Sequence, residues 1–116
     1  MKALTLDITR QDWEQTTGMA FSEVENPELN ETNYLEDASK VIIKPRYAGF
    51  CGSDKSIWFR HAFKDMIFNS MESENQSHRI CGHELLGEIV EVGSIAENIY
   101  RYKVGDMVSA ESHIFC

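Results

Sequence analysis

The sequence predicts a mainly β domain: short strands and few helices, folded as a small, partly open barrel. Three observations predict it. Apolar residues recur at every second position in short runs. Glycines and a proline interrupt those runs at close intervals. Only one stretch carries a helix-start signal, and it is short.

The elements follow in chain order. Leu4, Leu6 and Ile8 alternate, which predicts a first strand. Met19, Phe21 and Val24 predict a second, ended by Asn26-Pro27. Residues 28–39, ELNETNYLEDAS, are acidic and predict a loop or a single helical turn. The stretch KVIIKPRYAGF predicts a strand in which Val41, Ile43 and Tyr47 share one parity; Pro45 places it at an edge or a bulge. Gly49, Cys51 and Gly52 end that strand. Ser53-Asp54 is a usual N-cap signal and predicts a short helix over residues 53–59. NSMESENQSHR reads as a polar surface loop. ELLGEIVEVG predicts a strand, with Leu86, Glu88, Val90 and Val92 on one parity and Gly87 and Gly93 as close-approach or turn points. YKVGDMVSA predicts a strand, a Gly-Asp turn and another strand.

Size and charge narrow the function classes. A chain of 116 residues is one domain at most, and 42% hydrophobic residues allow one modest core. The net charge of −8 argues against nucleic acid or an anionic membrane as a partner. No run approaches the ~20 apolar residues of a membrane span, and the N-terminus lacks the uninterrupted apolar block of a secretory signal. The expected location is the cytoplasm. Cys51, Cys81 and Cys116 are odd in number and far apart, so no disulfide framework is expected. No Gly-x-Gly-x-x-Gly turn is present, so these residues offer no such cradle for a dinucleotide.

Three residue types draw attention as chemistry. Taken singly, each has an ordinary structural reading: Cys51 as a small core residue, His83 as a hydrogen-bonded side chain, Glu84 and Glu88 as the solvated face of a strand. Taken together they say more. Cys51 stands where a strand stops at glycine, and His83 follows a glycine and opens a strand. Side chains at strand ends keep fixed positions, as a metal requires. A thiolate, an imidazole and a carboxylate suit Zn²⁺, with one position left for water or substrate.

The segments GFCGSDKSIWF, CGHELLGEIVEVG and YKVGDMVSAESHIFC resemble, in order, the start of the zinc-dependent medium-chain alcohol and polyol dehydrogenases, the family of alcohol, sorbitol, threonine and glucose dehydrogenases. That family's pattern is Gly-x-Cys-Gly-Ser/Thr-Asp, then Gly-His-Glu-x-x-Gly-x-Val-x-x-Val-Gly, then Val-Gly-Asp-x-Val. Ile89 or Val90 takes the place of the first valine of the middle motif. The likeness covers about residues 40–116. It implies a GroES-like β-barrel, incomplete here, with residues 1–116 forming the N-terminal part of the catalytic domain and the dinucleotide-binding domain absent.

The resemblance implies roles as well. Cys51 and His83 correspond to the first two ligands of a catalytic zinc. Glu84 corresponds to a glutamate that ligates zinc directly or exchanges with water. Ser53 matches the hydroxyl that passes the substrate proton outward, and Asp54 the acid that orients the ligand histidine. Cys116 falls where the first of four cysteines of a structural zinc lobe would stand; the other three are not in the sequence. Cys81 is expected to be a buried thiol, and Ser56 stands where several threonine dehydrogenases place a relay histidine.

The implied function is oxidation of a small-molecule alcohol or polyol by hydride transfer to NAD or NADP, in a longer, homo-oligomeric protein. The 116 residues alone are expected to be inactive. The alternative is a zinc-free GroES-like module that binds or supports without catalysis.

Overall fold

The computed structural model describes residues 1–111. Its strands are β1 (Lys2–Leu6), β2 (Ala20–Glu23), β3 (Val41–Gly49), β4 (Arg79–Ile80), β5 (Glu84–Val92) and β6 (Met107–Ser109). Its helices are α1 (Gly52–Trp58), α2 (Lys64–Ser73) and α3 (Ser94–Asn98), with short 3-10 turns at Trp13–Gln15 and Leu35–Ser39. The strands form two three-stranded antiparallel sheets, in the orders β2-β1-β4 and β3-β5-β6. Neither sheet closes on itself among the described residues. The architecture is mainly sheet with short helices, an incomplete GroES-like fold. No helix among the described residues is long and apolar enough to cross a membrane. The chain divides into two compact units: Met1–Glu25 with Phe50–Gly82, and Asn26–Gly49 with residue 83 onward.

In the first unit β1 is the central strand. It buries Ala3, Thr5 and Leu6; of the alternating set, Leu6 joins the core and Ile8 packs against it while Leu4 is half-buried, so residues of both parities of β1 are buried. Thr5 tolerates burial because its hydroxyl lies 2.8 Å from that of Ser22 on β2. The core joins Leu6 and Trp13 to Ile67, Phe68 and Met71 of α2. Trp13 and Phe68 meet edge to face at 5.9 Å. The Trp13 indole donates to the Arg60 carbonyl at 3.0 Å, and the Arg60 guanidinium covers the ring and donates to the Gly18 and Ile57 carbonyls at 2.7 Å each.

Helix α2 departs from the expectation. Residues 69–73, read as polar loop, form its second half. Ile67, Phe68 and Met71 stand at i, i+1 and i+4, one helical face, and their burial outweighs the polar residues between them. Phe63 precedes the helix in the left-handed region (φ 73°) with no side-chain cap, so the usual start signal is missing. Helix α1 was expected from residue 53; it begins at Gly52, with Cys51 rather than Ser53 or Asp54 as its N-cap.

In the second unit β5 is central, flanked by β3 and β6. The register of β3 shifts between Ile42 and Ile43 and between Pro45 and Tyr47, so Pro45 sits on an edge strand beside an irregularity, as expected. Gly87 and Ile89 of β5 are buried, and Leu86 and Val90 face outward, so the buried parity is the one opposite to that noted in the sequence. A Cβ at Gly87 would lie 2.5 Å from Ile43 Cγ2 and 2.7 Å from the Lys44 carbonyl, so only glycine lets the strands meet there.

The Gly105-Asp106 turn forms, but the strand expected before it does not. The Asp106 carboxylate accepts the Lys103 amide at 2.9 Å, drawing residues 103–106 into the turn. The turn is tied to β5 by Ile89 N–H to the Asp106 carbonyl and Gly105 N–H to the Ile89 carbonyl, both 2.9 Å. Helix α3, also not expected, is anchored by fully buried Ala96 and by Glu31, whose carboxylate accepts from the Ser94 amide and hydroxyl at 2.7 and 2.6 Å.

Two tests follow from the packing of the first unit. Phe68→Ala should lower stability in urea by about 3 kcal/mol, while Met66→Ala on the exposed face of α2 should change it by less than about 0.5 kcal/mol. Equal effects would refute the assigned face. The Cys81 thiol packs against this core, and burial, reinforced by the nearby Asp54 carboxylate, raises its pKa. Its alkylation, followed against pH, should therefore begin at higher pH in the folded chain than in urea. The folded state holds this proton more tightly, so the stability it contributes should be lost as pH rises through the raised folded-state pKa.

Candidate functional site

In the first unit, Cys51, Ser53 and Asp54 gather at the start of α1. Cys51 keeps extended backbone angles (φ −97°, ψ −178°), as an N-cap does. Its sulfur accepts the Ser53 amide at 3.3 Å and lies 2.8 Å from the Ser53 hydroxyl. The Cys51 amide donates in turn to Asp54 Oδ2 at 2.9 Å, the reciprocal arrangement of a capping box. Asp54 is only 2% exposed, so its carboxylate is held in place by its surroundings as well as by that bond. The sequence Cys-Gly-Ser-Asp thus produces a short, rigid turn carrying a soft donor, a hydroxyl and an acid. Ser56, one turn on, donates its hydroxyl to the Gly52 carbonyl at 3.0 Å.

In the second unit, His83 and Glu84 stand at the lip of β5. Gly82 precedes them with φ +100°, a left-handed conformation that glycine adopts without strain. Glu84 opens the strand opposite Gly49 of β3. His83 is half-buried and Glu84 exposed. Both line an open pocket of about 370 Å³ with Tyr47, Leu86, Ser109 and Glu111, a size within the range of small-molecule sites. The Ser109 hydroxyl donates to the Leu85 carbonyl at 3.0 Å, which pins β6 along one wall.

The sequence-predicted residues therefore fall into two local groups, Cys51-Ser53-Asp54 and His83-Glu84. Cys116 lies outside the described residues. Cys81 joins the core of its unit, in line with the buried thiol expected, although it is only half-buried. Glu88 is a strand-face residue, and its ion pair with Arg46 holds its carboxyl below the usual range. Tyr47, Ser109 and Glu111 were not singled out from the sequence. The place of Tyr47 and Ser109 on the pocket follows from cross-strand register, Tyr47 against Leu86 and Leu86 against Ser109, which periodicity within one strand does not contain, and Glu111 follows β6 by two residues.

Comparison with known proteins adds the family. Residues 37–116 match the family profile described as alcohol dehydrogenase GroES-like domain. The chain is similar to an L-threonine 3-dehydrogenase of Caldanaerobacter subterraneus, 38% identical over 78 residues, covering 66% of this chain and 19% of that protein. It is similar to a D-arabitol-phosphate dehydrogenase of Enterococcus avium, 35% identical over 97 residues, covering 84% of this chain and 22% of that protein. An L-threonine 3-dehydrogenase of Bacillus licheniformis is 38% identical over 82 residues, 69% of this chain and 20% of that protein. No solved structure matches significantly. The chain thus spans about a fifth of the length of these relatives. With the profile matched over more than half of its length, the chain belongs to the alcohol dehydrogenase GroES-like domain family.

Proposed function

We propose that residues 1–116 supply the zinc-binding part of an oxidoreductase that oxidises a small alcohol or polyol, passing hydride to NAD or NADP. Cys51, His83 and Glu84 would hold the metal. The observation that carries this reading is the Cys51–Ser53 pair: a soft donor fixed at a helix start with a hydroxyl 2.8 Å from its sulfur. The donor set suits zinc, since sulfur and imidazole are its preferred ligands and a carboxylate completes them. Motif order supports it as well: Gly-Phe-Cys-Gly-Ser-Asp precedes Gly-His-Glu along the chain, as in the family that it resembles.

Zinc, when bound, supplies Lewis-acid polarisation of a substrate hydroxyl. The chain's own residues would do the rest. Ser53 takes the proton leaving that hydroxyl and hands it toward solvent. Its amide and hydroxyl also face the Cys51 sulfur, so a thiolate there keeps its orientation. Asp54 fixes the first turn of α1 by accepting the Cys51 amide, and the family resemblance implies that it would orient the ligand histidine. Ser56 stands where several threonine dehydrogenases place a relay histidine; its hydroxyl is engaged with the Gly52 carbonyl, so it would lend no imidazole to the proton path. The pocket walled by Tyr47 and Ser109 would receive the substrate, and the nicotinamide cofactor would be held by residues outside these 116. A cytoplasmic homo-oligomer fits this reading.

Cys51→Ser, which keeps a capping atom, and His83→Ala should each remove stoichiometric zinc, measured by atomic emission after dialysis. Unchanged zinc in both variants would refute the site and favour the zinc-free module. Residues 1–116 alone should reduce neither NAD nor NADP with any alcohol or polyol; measurable turnover would overturn that expectation.

A further inference from the structure

Gly49 is the last residue of β3 and stands directly opposite Glu84, the first residue of β5. A Cβ built at position 49 would lie 2.9 Å from Glu84 Cβ and 3.2 Å from its Cδ, and would overlap its Oε2. Residues facing one another across a sheet ordinarily keep their Cβ atoms about 4.5–5.5 Å apart. The Glu84 side chain therefore lies across the face of Gly49, in the space a side chain there would fill.

The other glycines have different reasons. Gly18, Gly82 and Gly105 have positive φ; Gly49 does not, so its backbone would accept an L-residue. Gly52 has open space around it. Gly87 and Gly93 make close approaches in which strand or loop backbone stands in the way. At Gly49 the obstruction is a single side chain, and that side chain is the candidate carboxylate ligand.

We propose that Gly49 is a positioning residue for Glu84: its bare Cα is the seat across which the carboxylate folds back toward β3, the strand whose next residues run to Cys51. The inference rests on the zinc reading for its functional meaning, but the seat itself is geometric. A methyl group at position 49 displaces the carboxylate. At a metal site that displacement should weaken binding as a lost supporting contact does, by about tenfold or more.

The test uses Gly49→Ala, Glu84→Ala and the double variant in the whole chain, with Co²⁺ titration followed by its visible absorption. A second readout is the ¹³C resonance of the Glu84 carboxyl, assigned by its loss in Glu84→Gln. Gly49→Ala should shift that resonance and weaken Co²⁺ binding as much as Glu84→Ala does, and the double variant should lose no more than either. An unmoved resonance overturns the proposal and leaves the zinc site standing. Additive losses in the double variant also overturn it, because the methyl then acts through the spacing of the sheet. Absence of Co²⁺ binding in the parent chain refutes the zinc reading, and the carboxyl resonance then decides the role of Gly49 by itself. Should Gly49→Ala fold poorly, adding Glu84→Gly must restore folding; failure to restore it would overturn the proposal.

Discussion

The antiparallel pairing of β3 with β5 is the constraint on which the second unit depends. Each strand has nine residues, and their ladder runs from Val41 opposite Val92 to Gly49 opposite Glu84. One end feeds the Leu35–Ser39 turn and α3; the other holds the lip on which His83 and Glu84 stand. A slip of one residue would exchange the buried Ile89 for Glu88 or Val90. Gly87 guards against that slip, since only a glycine fits beneath Ile43 and the Lys44 carbonyl. Register here is set by a missing side chain in the middle of the strand, and the site at its end inherits that register.

Much of this was legible in the sequence, for reasons that differ by element. β3 and β5 were visible because β-branched residues are dense in both and a glycine closes each. The turn at Gly105-Asp106 was visible because those residue types have few other uses side by side. The second buried face of β1 and the face that β5 buries were not visible. In β1, Ala3 and Thr5 are buried beside Leu6, and neither small nor hydroxyl residues announce a core. In β5 the inward set includes a glycine, which no hydrophobic pattern counts. Helix α2 was hidden because its apolar face is three residues among polar ones and its start lacks a capping side chain.

The candidate site was legible to a different degree. Cys51, Ser53, Asp54, His83 and Glu84 each occupy a short motif, and short motifs survive being read one residue at a time. Tyr47, Ser109 and Glu111 belong to no motif. They line one pocket with His83 and Glu84, Tyr47 and Ser109 through the pairing of three strands and Glu111 just beyond β6, a property of tertiary structure alone. The internal roles of the motif were hidden too: Ser-Asp looked like the helix cap, whereas the sulfur before it caps the helix and the aspartate closes the turn from inside.

That sulfur has a consequence for anyone redesigning the chain. Helix starts are best served by a hard oxygen acceptor, and serine, threonine, aspartate and asparagine outrank other residues there. A thiol accepts weakly. Judged by stability alone, position 51 is among the first that an optimisation of helix termini would replace, and serine is the replacement it would choose. The more stable protein would have exchanged the soft donor at the mouth of α1 for a hard one, and nothing in its melting curve would reveal the loss.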